Sequence, residues 1–237
     1  MLFASRADLP SRMACYGASG TGVQVTHDMR HQAGNSMEFV GYVDDVQDPR
    51  RRAEENYPVW DFEELAQLED TGVFLSILNP AVRRMLHDKL LDRGVVILGA
   101  RGTAHLSHPA AQLGEGTVIV STTRLAHTTR IGRGGLVWAQ LVAHDVEIGD
   151  FVSLGSGSQV LGHVQIGDDV SIGAGAIICN GTIERPLTIG DGAIVGPGAV
   201  VTHDVAPGEV MVGPRAMPLA RWRTLLGGRR ESGQLQR

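Results

Sequence analysis

An aliphatic residue returns at every sixth position through most of the C-terminal half of this chain, and this spacing constrains the fold more than any other feature. The clearest units pair it with glycine, as in Ile148-Gly149, Ile166-Gly167 and Ile172-Gly173. An α-helix repeats near 3.6 residues and a strand near 2, so neither explains the pattern. A parallel β-helix does, because each hexapeptide supplies one short strand and one corner, and three hexapeptides complete a coil. We expect the aliphatic side chains to point inward and to stack ~4.8 Å apart on their copies in neighbouring coils.

The period breaks at two places. Between Ile131 and Val142 it loses one residue, and between Ile178 and Ile189 it gains five, around the segment 181–186. Breaks in a repeat fold are usually outward loops or kinks, and such loops often flank binding sites.

The first hundred residues follow a different pattern, in which apolar strands alternate with helices. Strands are predicted near 13–16, 38–43, 73–77 and 95–98, with helices from about 23 to 33, from Asp61 and over 80–93. This alternation predicts a small parallel sheet of Rossmann-like topology. The fold class predicted is therefore mixed, with three parts: a Rossmann-like α/β domain over 1–105, a left-handed parallel β-helix over 106–218, and a C-terminal helix and tail over 219–237.

Composition narrows the function. The net charge is −5, and the only basic stretches are Arg50–Arg52 and the C-terminal tail, which argues against a nucleic-acid partner. Two cysteines, one in each half, make a disulfide framework improbable and favour a cytoplasmic location. No apolar run reaches about 18 residues, so neither a transmembrane helix nor a membrane partner is expected, and the N-terminus lacks the apolar core of a signal peptide.

A glycine-rich turn over 17–22 follows the first predicted strand and precedes a helix. Glycines let the backbone approach a pyrophosphate, and the helix N-terminus supplies N–H donors to it. Asp44 and Asp45 follow the next strand, where a ribose-binding carboxylate is expected. The alternative is a tight turn without a ligand. NAD is disfavoured, because the sheet has only about four strands and no dehydrogenase-type second domain follows.

The pair His144-Asp145 is the most specific chemical feature. Counted from the inward Val142, both residues occupy corner slots, so their side chains project from the prism. A carboxylate beside an imidazole raises its basicity and fixes its tautomer, which suits deprotonation of an amine or hydroxyl nucleophile. The alternative is a solvated surface histidine.

Other histidines are weaker candidates. His163 and His127 occupy nearby coils, His108 precedes a proline at the domain junction, and His203-Asp204 repeats the pairing near the last coil. Three histidines can hold zinc, as in the β-helical carbonic anhydrases, but their spacing here gives no clear three-ligand set.

Taken together, the glycine-rich turn, the two aspartates, the His144-Asp145 pair and the six-residue repeats resemble the bacterial hexapeptide-repeat sugar acyltransferases. The most similar group contains the sialic acid O-acetyltransferases and the N-acetyltransferases acting on nucleotide-linked 4-amino sugars. The resemblance covers about 14–215 and is carried by the strings 16–22, 41–45, 142–149, 161–167, 194–202 and 212–216.

The resemblance implies a homotrimer that binds acetyl-CoA between two β-helices and acetylates an amino or hydroxyl group of a nucleotide-linked sugar, without a metal. His144 would be the general base, Asp145 its carboxylate partner, and the Gly162 N–H the donor to the thioester oxygen. Further cofactor contacts would be Ser153, Ala174, Gly196 and Pro197. Substrate contacts would be Gly17, Ser19, Gly20, Thr21, Asp44 and Asp45.

The chain departs from this family at three positions. Thr21 and Ser153 stand where relatives commonly carry histidine, and Val137 where they carry asparagine. These losses fall on acceptor and CoA contacts and favour a rival interpretation, a non-catalytic nucleotide-sugar or CoA-binding scaffold. The surviving His144-Asp145 pair opposes it. A zinc-dependent β-helix hydratase is a second rival.

Overall fold

The structure, a computed structural model, describes residues 2–5, 8–46, 56–213, 215–219 and 221. Within these residues, the N-terminal α/β part shows six strands and three helices: β1 (Leu2–Ala4), β2 (Arg12–Tyr16), α1 (Gly20–Ala33), β3 (Glu38–Val43), β4 (Val59–Trp60), α2 (Phe62–Leu65), β5 (Thr71–Leu75), α3 (Pro80–Asp92) and β6 (Val96–Arg101). Among the described helices, none has the length and apolar character needed to cross a bilayer.

The strands β6-β5-β2-β3-β4 lie side by side in this order, all parallel, with the short β1 antiparallel to β6. This is Rossmann topology, and the strand order reverses between β2 and β5, where the carboxyl ends of the strands form a crevice. The sequence pattern did not predict the short strands β1 and β4.

Local signals start the helices. Asp61 caps α2, where the sequence predicts that a helix begins, and the structure adds a capping box with Glu64. Asn79 caps α3 ahead of Pro80. Helix α1 begins at Gly20, earlier than predicted, because the glycine-rich turn itself forms the first helical turn.

Sixteen short strands then wind into a three-sided β-helix. Face 1 contains β7 (Gln112–Leu113), β10 (Arg130–Ile131), β13 (Val146–Ile148), β16 (Val164–Ile166) and β19 (Leu187–Ile189). Face 2 contains β8 (Val118–Ile119), β11 (Leu136–Val137), β14 (Ser153–Leu154), β17 (Ser171–Ile172), β20 (Ile194–Val195) and β22 (Val210–Met211). Face 3 contains β9 (Arg124–Leu125), β12 (Leu141–Val142), β15 (Gln159–Val160), β18 (Ile177–Ile178) and β21 (Val200–Val201).

The six-residue repeat forms the core. Ile131 pairs with Leu113 and Ile148 in the neighbouring coils, and the other inward aliphatic residues stack in the same way. Val137 belongs to this core and is fully buried, so its side chain cannot contact a ligand. The expectation that position 137 belongs to the acceptor and CoA contacts is therefore wrong. The lost residue falls in the corner 138–140, which follows Val137 and lies between β11 and β12.

The α/β part and the β-helix share one sheet, because β6 pairs in parallel with β8 and extends face 2 into a twelve-stranded sheet. Val118 and Leu136, which point outward on face 2, are buried in the core of the α/β part. Helix α1 contacts the corner between faces 2 and 3 through Asp28 and Ser121. Helix α3 contacts the corner between faces 1 and 2 through Arg83. The α/β part thus covers face 2 and contacts both of its corners.

The third corner, between faces 3 and 1, lies opposite face 2. The domain limits predicted from the sequence stay predictions, and the proposed C-terminal helix and tail fall almost wholly outside the described residues.

Candidate active site

The corner between faces 3 and 1 carries two ladders of aligned residues. The strand register of face 3 aligns the residues that lie two positions after each inward residue. These residues form the first ladder: His127, His144, Gly162, Asn180 and His203. The second ladder lies one residue further along and consists of Thr128, Asp145, His163, Gly181 and Asp204.

His144 and Asp145 form a direct pair, with Nδ1 of His144 2.9 Å from Oδ2 of Asp145. The Asp145 backbone has φ of 56°, in the left-handed region, and its N–H donates to Oγ1 of Thr128 at 2.7 Å. The hydrogen bond from His144 is the main reason why the pKa of Asp145 lies below its usual value. Both side chains are about half exposed, at 55% and 47%, so a ligand can reach them.

His163 approaches the same carboxylate from the next coil. Its Nδ1 lies 3.7 Å from Oδ2 of Asp145, and its ring centroid lies 5.1 Å from that of His144. Asp145 therefore lies between two imidazoles. The sequence named His163 only as a weaker candidate, because its approach to Asp145 depends on a left-handed backbone, with φ of 58°.

Gly162 lies against the His144 ring. A Cβ atom at this position would be 2.7 Å from Cε1 and 2.9 Å from Nε2 of His144, so only glycine lets the ring lie here. The Gly162 N–H donates to Oδ1 of Asn180 at 2.7 Å. The amide predicted to bind the thioester oxygen is therefore engaged by a side chain that the sequence pattern did not single out.

A groove of about 560 Å³ runs along face 1 beside this corner. His127, Asp145 and His163 line it, together with Thr182 and Ile183 from the five-residue insertion. Ile183 is 77% exposed. The second break in the repeat is thus an outward loop that borders the groove, as the sequence predicts.

The predicted cofactor contacts do not all converge here. Ser153 lies on face 2, where its hydroxyl accepts from Nη1 of Arg83 at 2.9 Å and donates to the Leu78 carbonyl at 2.8 Å. Burial by α3 thus separates Ser153 from His144, and the prediction of a cofactor contact at Ser153 does not fit this placement. Ala174 and the Gly196-Pro197 turn occupy the corner between faces 2 and 3, at the other edge of face 3.

The predicted substrate residues gather at the crevice of the α/β part. Gly17 follows β2, and Ser19, Gly20 and Thr21 form the start of α1. A Cβ atom at Gly20 would meet no atom within 4 Å, so this turn faces open space.

Asp44 and Asp45 lie beside this turn, as predicted, but their carboxylates accept hydrogen bonds from other groups of the protein. Asp44 accepts from the Ala18 N–H at 3.2 Å. Asp45 accepts from the Tyr16 hydroxyl and from the Phe62 N–H.

Comparisons with known proteins agree with this architecture. The family model for the bacterial transferase hexapeptide (six repeats) matches residues 145–180. The structure of WeeI from Acinetobacter baumannii AYE is 32% identical, with a TM-score of 0.72, over 85% of this chain and 96% of that chain. This chain belongs to the bacterial hexapeptide-repeat sugar acyltransferases. The resemblance stated from the sequence and the mixed fold are both confirmed.

Two further relatives of this hexapeptide transferase are acetyltransferases. The acetyltransferase domain of PglB from Neisseria gonorrhoeae FA1090, solved with acetyl coenzyme A, is 25% identical, with a TM-score of 0.70, over 89% of this chain and all of that chain. GDP-perosamine N-acetyltransferase of Escherichia coli O157:H7 is 35% identical over 118 residues, which span 48% of this chain and 52% of that protein. The match thus covers about half the length of this curated relative. The predicted acyltransferase class is confirmed at the level of the family.

Proposed function

We propose that this protein transfers the acetyl group of acetyl-CoA to the amino group of a nucleotide-linked 4-amino sugar. The observation that carries this proposal is the His144-Asp145 pair beside Gly162. A carboxylate that accepts from Nδ1–H leaves the lone pair of Nε2 to accept a proton. That nitrogen lies next to the Gly162 backbone, so a base and an amide donor are neighbours.

The reaction follows from this placement. Nε2 of His144 takes a proton from the amine as its nitrogen attacks the thioester carbonyl carbon and the C–N bond forms. The Gly162 N–H stabilises the oxyanion of the tetrahedral intermediate. The C–S bond then breaks, and the CoA thiolate takes the proton from the imidazolium. The thioester oxygen first has to replace Oδ1 of Asn180 on the Gly162 amide.

The acceptor nucleotide would bind at the glycine-rich turn. The N-terminus of α1 directs backbone N–H groups toward the open space at Gly20, which suits a pyrophosphate. Asp44 holds the turn through Ala18, so its contribution is to shape this site. This turn belongs to the part of the chain that covers face 2, whereas His144 lies at the opposite corner.

A homotrimer resolves this separation, because the acceptor site of one subunit can meet His144 of another. Face 3 is the surface suited to a second copy. Its outward positions include the apolar Leu141, Ile177 and Val200, whereas face 1 presents only polar side chains at the equivalent positions. Face 3 also borders the His144 corner, so a second copy packed there would complete the site.

Light scattering tests the assembly. We expect three times the chain mass of 25.3 kDa. Ile177→Lys should give monomers that keep their far-UV circular dichroism, because a buried unpaired ammonium is costly at an interface. Thr188→Lys, which adds the same charge to the outward side of face 1, should remain trimeric. Monomeric wild-type protein with full activity would contradict the proposal.

Transfer itself is tested by thiol release from acetyl-CoA with GDP-, UDP- and dTDP-linked 4-amino sugars. His144→Ala should lower kcat at least about 10²-fold with little change in acetyl-CoA affinity, because a general base acts mainly in the transition state. His203→Ala, in the same ladder, is the matched control and should stay active.

The rival is a non-catalytic scaffold, which the Asn180 contact on the Gly162 amide favours. Binding of acetyl-CoA and a nucleotide sugar without thiol release would establish it. Full activity in His144→Ala would show that the assigned base is wrong.

A further inference from the structure

Three side chains with metal-binding atoms converge at the corner between faces 3 and 1. One nitrogen or oxygen atom from each of His144, Asp145 and His163 lies within 4.8 Å of the others. Two separations are shorter: Oδ2 of Asp145 is 2.9 Å from Nδ1 of His144 and 3.7 Å from Nδ1 of His163. The spacing of the histidines in the sequence predicts no clear three-ligand set, because the third member of this cluster is a carboxylate.

The spacing matches zinc. Tetrahedral Zn²⁺ holds nitrogen and oxygen ligands at about 2.0–2.1 Å, so the ligand atoms lie about 3.3 Å apart. The two separations from Asp145 fall on either side of this value, and small rotations of the half-exposed His144 ring would bring the third into range. We propose that His144, Asp145 and His163 bind one Zn²⁺ ion, and that Zn²⁺ inhibits acetyl transfer.

The backbone holds two of the three ligands in place. Asp145 and His163 both have left-handed backbone conformations on rigid coils of the β-helix, and Asp145 is further fixed through Thr128. Side chains on regular structural elements keep a metal-binding geometry more precisely than side chains on loops do. The groove along face 1 gives the ion a path to the site.

Inhibition follows from the tautomer of His144, and it rests on the proposed function. When Nδ1 of His144 binds Zn²⁺, the ring proton resides on Nε2, which can then no longer accept a proton from the amine. Zn²⁺ also withdraws Asp145 from His144. Metal binding and general-base catalysis at this corner therefore exclude each other.

Calorimetry with ZnCl₂ and the chelator-treated full-length protein tests the site without any substrate. We expect one Zn²⁺ per chain, and at least ~10-fold weaker binding in His163→Asn, since a ligand is lost. Asparagine tolerates the left-handed backbone at this position. His127→Asn removes an imidazole from the same groove but outside the cluster, and it should leave the affinity unchanged. Equal affinity in wild type and His163→Asn, or no saturable binding, would overturn the site.

The inhibition is tested by mass spectrometry of the acetylated product, because Zn²⁺ also binds the released thiol. ZnCl₂ should inhibit the wild type and a chelator should restore the rate. His163→Asn should need at least ~10-fold more Zn²⁺ for the same fractional loss of its own zinc-free rate. Saturable Zn²⁺ binding without inhibition would overturn the inhibitory role. Absence of transfer in zinc-free protein would instead refute the proposed function and leave the calorimetric result standing.

Discussion

Gly162 stands between two side chains of the same ladder, His144 in one neighbouring coil and Asn180 in the other. Its missing side chain makes room for the imidazole, and its N–H donates to Oδ1 of Asn180. A carboxamide and a thioester oxygen therefore compete for one N–H, which makes Asn180 a determinant of cofactor affinity in the proposed reaction.

This competition predicts opposite changes in acetyl-CoA affinity for two substitutions of Asn180. Asn180→Ala should tighten acetyl-CoA binding about 2- to 10-fold, since a net hydrogen bond of about 0.5–1.5 kcal/mol no longer has to be replaced. Asn180→Asp should weaken it, because a charged acceptor holds the N–H more strongly. Calorimetric titration with acetyl-CoA measures both. Equal weakening in the two variants would show that Asn180 only supports the fold.

At the scale of elements, helix α3 is fastened to the β-helix by Arg83. This guanidinium is almost completely buried and donates to the carbonyls of Gly134 at 2.7 Å and Phe151 at 2.6 Å, and to Ser153. Burial lowers its pKa to about 10, so Arg83 remains charged at neutral pH. One side chain thus links α3 to a corner and to a strand of the β-helix.

Arg83→Met should lower the free energy of unfolding by at least ~3 kcal/mol, because several buried carbonyl groups lose their donor. Chemical denaturation followed by circular dichroism measures the change. Arg93→Ala removes the exposed ion pair with Glu63 just after the same helix and should cost far less, because water screens exposed charges. Similar losses in both variants would show that Arg83 is not the main link.

At the scale of the whole molecule, the α/β part and the candidate base are on opposite sides of one β-helix. The shared twelve-stranded sheet fixes this arrangement, because β6 pairs directly with β8 of face 2. A chain therefore cannot easily present an acceptor bound at its own Gly20 to its own His144. The proposed active site needs residues from two subunits.

Mixed trimers test this directly. His144→Ala lacks the base, and Gly20→Asp places a carboxylate in open space where the pyrophosphate would bind. Each variant alone should be nearly inactive. Coexpressed in equal amounts, they should recover about one quarter of wild-type activity, because half of the bases and half of the acceptor sites are intact and pair at random. Activity no higher than that of either parent would place the whole site within one chain.

The sequence alone determined the features that depend on local spacing. A period of six residues encodes a β-helix coil, because every sixth side chain must be buried. The same spacing located His144 and Asp145 at a corner and the insertion as an outward loop. The glycine-rich turn and Asp44 came together as expected, because parallel strands place their carboxyl ends at one edge of a sheet.

Only the tertiary structure decided which distant groups compete or converge. Ser153 hydrogen-bonds to Arg83 of α3, and Val137 points into the core of the β-helix. Asn180 accepts from the Gly162 amide, and His163 lies beside the carboxylate of Asp145. Each of these contacts depends on how coils stack or on how the α/β part docks, so the partners lie far apart in the chain. Periodicity specifies which side of a coil a residue occupies. It does not specify the partner that its polar atoms find there, because every polar atom near the corner competes for the same few hydrogen bonds.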